Sequence, residues 1–155
     1  MKSQVVKQSK QRLDHIFSQV SAFSSVPELE SHWARYLCVL VSGFVETSVQ
    51  TLFSEYAKKR SSPEVASYVE SRLKRFQNPS MQRILDLSGE FNPAWRDSLA
   101  AATEGEPKDA IDSIVANRNN IAHGESVGVT YSRIQRYYEN AIKVVDLIDT
   151  QCSSG

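Results

Sequence analysis

The sequence predicts an all-α fold, an up-down bundle of four core helices with short extra helices attached. Three observations carry this. The chain holds only six glycines and five prolines in 155 residues, too few punctuating residues to bound many short strands. No stretch alternates apolar and polar side chains long enough to read as a paired strand. From Pro27 to about Arg60, by contrast, apolar residues recur at spacings of three and four, the period of one helical face.

Each element follows from local signals. A first helix is predicted over about Lys2 to Ala22, with Val6, Leu13, Phe17 and Val20 on one face, and Ser24, Ser25 and Pro27 interrupt it. Pro27 suits the first turn of the second helix, where its missing N–H has no partner to lose. Leu29, Trp33, Tyr36, Leu37, Leu40 and Val41 begin a stripe that Phe44, Val45, Leu52, Phe53 and Tyr56 continue, which makes this helix the spine. Ser61, Ser62 and Pro63 open a shorter helix to about Phe76, with Val65, Tyr68, Val69 and Leu73 inward. After Asn78 and Pro79, short helices are predicted around Met81 to Leu87 and Pro93 to Ala102, separated by Gly89 and Asn92.

Glu106 and Pro107 start the next helix, whose apolar positions are Ala110, Ile111, Ile114, Val115 and Ile121. Gly124 is its predicted stop, because glycine adopts the left-handed cap most easily. Thr130 caps a last helix carrying Ile134, Tyr137, Tyr138, Ile142, Val145 and Ile148. Residues 1–150 are read as one domain, and 151–155 as a disordered polar tail.

Composition narrows the function classes. Cys38 and Cys152 lack the spacing of a zinc site or a redox pair, so no metal or cofactor is expected, and a reducing compartment fits best. The N-terminal segment has no signal-peptide core, and the uncharged stretch Tyr36 to Val45 is about half of the roughly 20 residues that cross a bilayer. A cytoplasmic protein without membrane contact is expected. Lys and Arg balance Asp and Glu at 18 each, which excludes a general cationic field, so any RNA site is local. Lys58-Lys59-Arg60 and Arg72-Leu73-Lys74-Arg75 are the local basic runs. Trp33, Trp95, Tyr137 and Tyr138 read as core or interface aromatics, and His15 and His32 as surface or boundary residues without ligand-spaced companions.

The segment with chemical content is Arg118-Asn119-Asn120-Ile121-Ala122-His123. Asn119 and His123 stand at i and i+4 and share a helix face. Arg118 lies aside, and its long arm reaches the same pocket if the helix loosens at Ala122 or His123. Imidazole exchanges protons near neutral pH, and a guanidinium fork matches phosphate oxygens. Together they suit metal-free cleavage of RNA, which needs a proton taken from a 2′-hydroxyl, a proton given to the 5′-oxygen, and charge stabilised on phosphorus. Asn119 would hold the imidazole or the phosphate. Glu46, interrupting the apolar stripe, either orients Arg118 by a salt bridge or faces solvent. Asn120 either serves the helix end or touches RNA. The plainer alternatives are that His123 only ends the helix and that Arg118 only pairs with Asp112 or Glu125.

Arg118-Asn119-x-x-x-His123 resembles the arginine, four-to-six residues, histidine motif of HEPN nucleases. The run Ile114 to Gly124 is similar to the RiboL-PSP-HEPN / MAE_28990/MAE_18760-like HEPN branch. Gly43-Phe44-Val45-Glu46, Tyr56 and Val129-Thr130-Tyr131 extend the likeness over about Trp33 to Ile148. The resemblance implies a HEPN-type bundle that forms a homodimer with two motifs side by side, one His123 acting as base and its twin as acid. It implies an endoribonuclease toxin or defence effector, with Arg118 and His123 catalytic, Asn119 and Glu46 supporting and Asn120 near substrate. Its partners would be RNA and an antitoxin or other regulatory protein. The family also contains non-catalytic adaptors that bind a partner protein or nucleotide.

Overall fold

Most helix starts in this chain are fixed by a side chain that accepts from an orphan N–H of the first turn. Ser3 caps α1 (Gln4–Ser21), Ser62 caps α3 (Pro63–Leu73), Ser80 caps α4 (Met81–Phe91) and Asn92 caps α5 (Pro93–Thr103). α2 (Pro27–Arg60) and α6 (Glu106–Ala122) start instead with a proline in the first turn. Thr130 Oγ1 accepts from the Arg133 amide at 3.2 Å and so begins α7 (Tyr131–Ser154) as expected. The computed structural model describes residues 1–22, 26–125 and 127–154, and among them the chain is all-α, seven helices with no strand. The predicted interruption at Ser24 and Ser25 lies outside the described residues.

α2 is the spine. It packs against α7, α6, α1 and α3, and α6 also packs along α7. Leu37, Val41, Leu52, Phe53, Ile114, Ile134 and Ile148 are almost wholly buried between these helices. By length and composition α2 is apolar enough to cross a bilayer, and more than half of its most apolar window is buried inside the bundle. The Cys38 thiol lies 3.7 Å from the Ile114 carbonyl, and burial raises its pKa to about 11. Cys38 meets Ile114, whereas Glu46, further along α2, and Asp112, earlier on α6, both hold the 78–81 connector, so α6 runs antiparallel to α2.

Four expectations change. Leu29 and Tyr36 sit on the α2 stripe by spacing but are exposed: among the described residues α1 meets that side only at an open groove where Ile16 and Gln19 stand beside Tyr36. Val65 and Tyr68 are likewise exposed. α3 touches α2 along a narrow line made by Ala66, Val69 and Leu73, and Val65 and Tyr68 fall one position off it. α4 continues through Gly89 to Phe91, since that glycine serves packing: a Cβ there would lie 3.0 Å from Arg96 Cδ on α5. Residues 151–154, expected in a disordered tail, complete α7. Gln151 donates to the Trp95 carbonyl at 3.0 Å, Cys152 packs on the core and Ser153 bonds Asp149 at 3.2 Å.

Both ends of α1 are tied to α7. Asp149 accepts from the Lys2 and Ser3 amides at 2.6 and 3.2 Å. Tyr138 stacks on Phe17 with ring centroids 4.6 Å apart and donates its hydroxyl to Asp14 at 2.6 Å. Burial, reinforced by the Asp14 carboxylate, pushes that phenol well above the ordinary tyrosine range. Tyr138→Phe keeps the stacking and removes the bond. Because the Asp14 side chain is 41 % exposed, the expected loss is about 1.5 kcal/mol, the lower end for a hydrogen bond to a charged group. Urea titration of the two proteins reads it directly.

Candidate functional site at the end of helix α6

The inner face of α6 is set by Ala110, Ile111 and Ile114, which are buried against the spine and α7. Arg118 stands four residues beyond Ile114, on the flank of that stripe, and is accordingly half-buried. His123 is the C-cap residue and is exposed. The helix then stops by a Schellman arrangement: the Gly124 amide donates to the Ile121 carbonyl at 3.1 Å, and the Glu125 amide to the Asn120 carbonyl at 2.8 Å. This demands a left-handed residue after the cap, and Gly124 supplies it with φ 72°. Glycine at this one position thus decides where the helix ends and where His123 stands.

Arg118 and His123 leave the helix in different directions at the backbone. Five residues at about 100° each place them roughly 140° apart around the axis and about 7.5 Å apart along it. The helix loosens at His123, as expected. Asn119 shares the outer face with His123, and its carbonyl accepts the His123 amide at 3.1 Å. Asn119 and Asn120 are both half-buried, and the Asn120 carbonyl serves the helix end.

Glu46 does not orient Arg118. Its carboxylate accepts from the Asn78 amide at 2.7 Å and so holds the connector before α4 against the spine. Asp112, a second candidate partner, accepts from the Met81 amide at 2.9 Å, and Glu125, the third, forms no ion pair with Arg118. Among the described residues, neither the Arg118 guanidinium nor the His123 ring makes a hydrogen bond or ion pair. Nor do the described residues contain a cluster of three His, Cys, Asp or Glu side chains placed to hold a metal.

Sequence reasoning missed a feature at the same level of the bundle. Tyr36 and Val39 are neighbours in sequence of Cys38, which meets α6 one turn before Arg118, but lie roughly 160° and 100° round α2 from it, on the side turned away from α6, where they are 49 and 41 % exposed. With Leu29 and Val26 they leave the N-terminal half of the spine with an apolar outer strip. Beside it, nothing lies within 4 Å of where a Cβ on Gly43 would be. Val39, an apolar residue off the buried stripe, was the available signal.

A family model described as RiboL-PSP-HEPN matches residues 6–154, nearly the whole chain. Comparison with curated proteins and with solved structures gives no match.

Two substitutions separate scaffold from chemistry. Gly124→Ala forces a side chain into the left-handed region and is expected to cost about 1–2 kcal/mol, measured by denaturant unfolding. Glu46→Ala strips the Asn78 amide of its acceptor and should cost a similar amount, about 1–3 kcal/mol. A Glu46→Ala protein as stable as the parent would show that the carboxylate has no scaffold role.

Proposed function

The chain belongs to the RiboL-PSP-HEPN family, and on that premise we propose that it is a metal-independent endoribonuclease, a toxin or defence effector acting on cytoplasmic RNA. The site we propose is composite, with Arg118 and His123 of two copies facing one cleft. The observation that carries the reading is the pairing state of these side chains. Among the described residues a guanidinium and an imidazole stand at one helix end without a hydrogen-bond or ion-pair partner, which leaves both able to meet a phosphate. Their backbones are roughly 140° apart round the helix, and among the described residues the exposed apolar side chains Leu29, Tyr36 and Val39 of α2 are suited to a second copy.

In this reading one His123 takes the proton from a ribose 2′-hydroxyl. The 2′-oxygen attacks phosphorus, the bond to the 5′-oxygen breaks, and the twin His123 gives that oxygen a proton. The products are a 2′,3′-cyclic phosphate and a 5′-hydroxyl. Arg118 grips the non-bridging oxygens as negative charge builds on them. Asn119, on the His123 face, orients the imidazole or the phosphate, and the side-chain amide of Asn120 contacts the RNA. An antitoxin or other regulatory protein would restrain the activity by covering the same cleft.

The zero net charge favours a second reading, a non-catalytic module that binds a partner protein or nucleotide. The two part on turnover. RNA cleavage is expected to continue in chelator. It should fall about 10²–10⁴-fold in His123→Ala, which loses proton transfer, and about 10²–10³-fold in Arg118→Ala. Both variants should melt like the parent, because neither side chain holds the fold together. Variants that cut at the parental rate would remove the site assignment. A parent that turns over no RNA across a broad panel and holds a protein partner would favour the adaptor.

A further inference from the structure

The α3–α4 corner concentrates positive charge in a chain that has none overall. From Lys58 to Arg83 there are seven Lys and Arg against two Glu, a net of +5 in a protein whose total is zero. The fold gathers part of this charge around one open groove of about 710 Å³. Arg72 and Arg75 line its α3 wall and are exposed, as is Tyr68, which presents its ring at 64 % exposure. Phe76 lies in the floor, with the Arg83 guanidinium 5.1 Å from its ring centroid while donating to the Gln77 carbonyl at 2.6 Å. The floor is fixed from behind, since Gln50 donates to the Phe76 carbonyl at 2.8 Å and Glu46 holds the Asn78 amide. The opposite wall carries Asp86 and Glu90, of which Asp86 is paired with Arg96 at 3.5 Å.

We infer that this groove binds a single-stranded stretch of RNA outside the cleavage site. The inference rests on the endoribonuclease reading and deepens it by naming where a longer substrate is gripped. Each surface matches one part of a nucleotide. Arg72 of α3 and Arg75 just beyond it meet phosphates, and the exposed Tyr68 ring offers a face on which an unpaired base stacks, while Phe76, capped by Arg83, backs the groove. The carboxylates of α4 accept from exocyclic amino groups of the bases. An acidic peptide would meet the same arginines but bring neither a base to stack on Tyr68 nor amino groups for Asp86 and Glu90. Duplex RNA keeps its bases stacked and has nothing to place on the Tyr68 ring.

The groove is remote from Arg118. Gln50 touches Phe76 and Cys38 touches Ile114. At 1.5 Å per residue those two levels of α2 lie roughly 18 Å apart, and Arg118 is one turn further on. A strand of several nucleotides spans the gap, so groove contacts act on longer RNA.

The test uses the full chain carrying His123→Ala, which binds without cutting, and a labelled single-stranded RNA of mixed sequence followed by fluorescence anisotropy over a range of salt. Arg72→Ala with Arg75→Ala is expected to weaken binding at least tenfold and to flatten the dependence of log affinity on log salt by about 1.4, for two lost phosphate contacts on a single strand. Tyr68→Ala should weaken binding severalfold and leave that slope alone. Lys7→Ala with Arg12→Ala, two exposed cations on α1, should change neither. Unchanged helical circular dichroism and melting keep the comparison to binding. Parental affinity in the Arg72/Arg75 variant overturns the proposal. So does duplex RNA or polyglutamate binding as tightly as the single strand, or an absence of RNA binding altogether. Cleavage by the parent protein is scored separately. Groove-dependent binding without any cleavage would leave the groove standing and sink the nuclease reading, whereas cleavage with groove-independent binding would sink the groove alone.

Discussion

Covering the apolar surface of α2 is the constraint on which the rest of this molecule depends. A 34-residue helix carrying so many large aliphatic and aromatic side chains is not stable in water by itself, and each such side chain taken out of water contributes about 1.5–3 kcal/mol. α7 and α6 lie along the spine, α1 covers a flank and α3 closes the C-terminal half. The other contacts adjust to that packing. The ties from Asp149 to the start of α1, from Asp14 to Tyr138 and from Glu46 to the Asn78 connector all hold covering elements in place. The cover is incomplete over the N-terminal half, and the exposed Tyr36 and Val39 mark the gap.

The placement of the candidate catalytic residues follows from that packing. Ile111 and Ile114 turn α6 toward the core, which puts Arg118 on the flank of the buried stripe and His123 on the outside. The left-handed Gly124 then ends the helix at once. Helical geometry separates the two backbones round the axis, and in the proposed composite site a second copy supplies the facing set. The surface proposed for that contact is the exposed apolar strip of Leu29, Tyr36 and Val39 on α2. The basic groove at the opposite end of α2 is a separate consequence of the same design, because α3 leaves Tyr68 and its arginines outside the narrow line that docks it.

Much of this was legible in the sequence, and for identifiable reasons. Helix boundaries were clear where a cap or a proline has one physical use, as at Ser62-Pro63, Thr130 and Gly124. Inward faces were clear where many residues repeat the period, as along Leu37, Val41, Phe44 and Val45. The same reasoning failed for Val65 and Tyr68, since hydropathy says that a side chain prefers burial and not whether a neighbour is present to bury it. It failed at Gly89 because close approach of Arg96 is a tertiary fact. It failed for Ser153 and Cys152, whose partners lie on the helix that they extend and on the core beneath it. At the site, the residue types and the stop at Gly124 were readable. That Glu46 serves a backbone amide was not, since a carboxylate in an apolar helix looks the same whichever donor it meets.

The central claim is that chemistry requires two copies meeting across the bare strip of the spine. The most direct measurement is sedimentation equilibrium of Val39→Glu beside the parent, with RNA cleavage followed in the same samples. The claim predicts a parental dimer that cuts RNA, and a folded monomeric variant that does not, although its Arg118 and His123 are untouched. A monomeric Val39→Glu protein that cleaves as fast as the parent would contradict it.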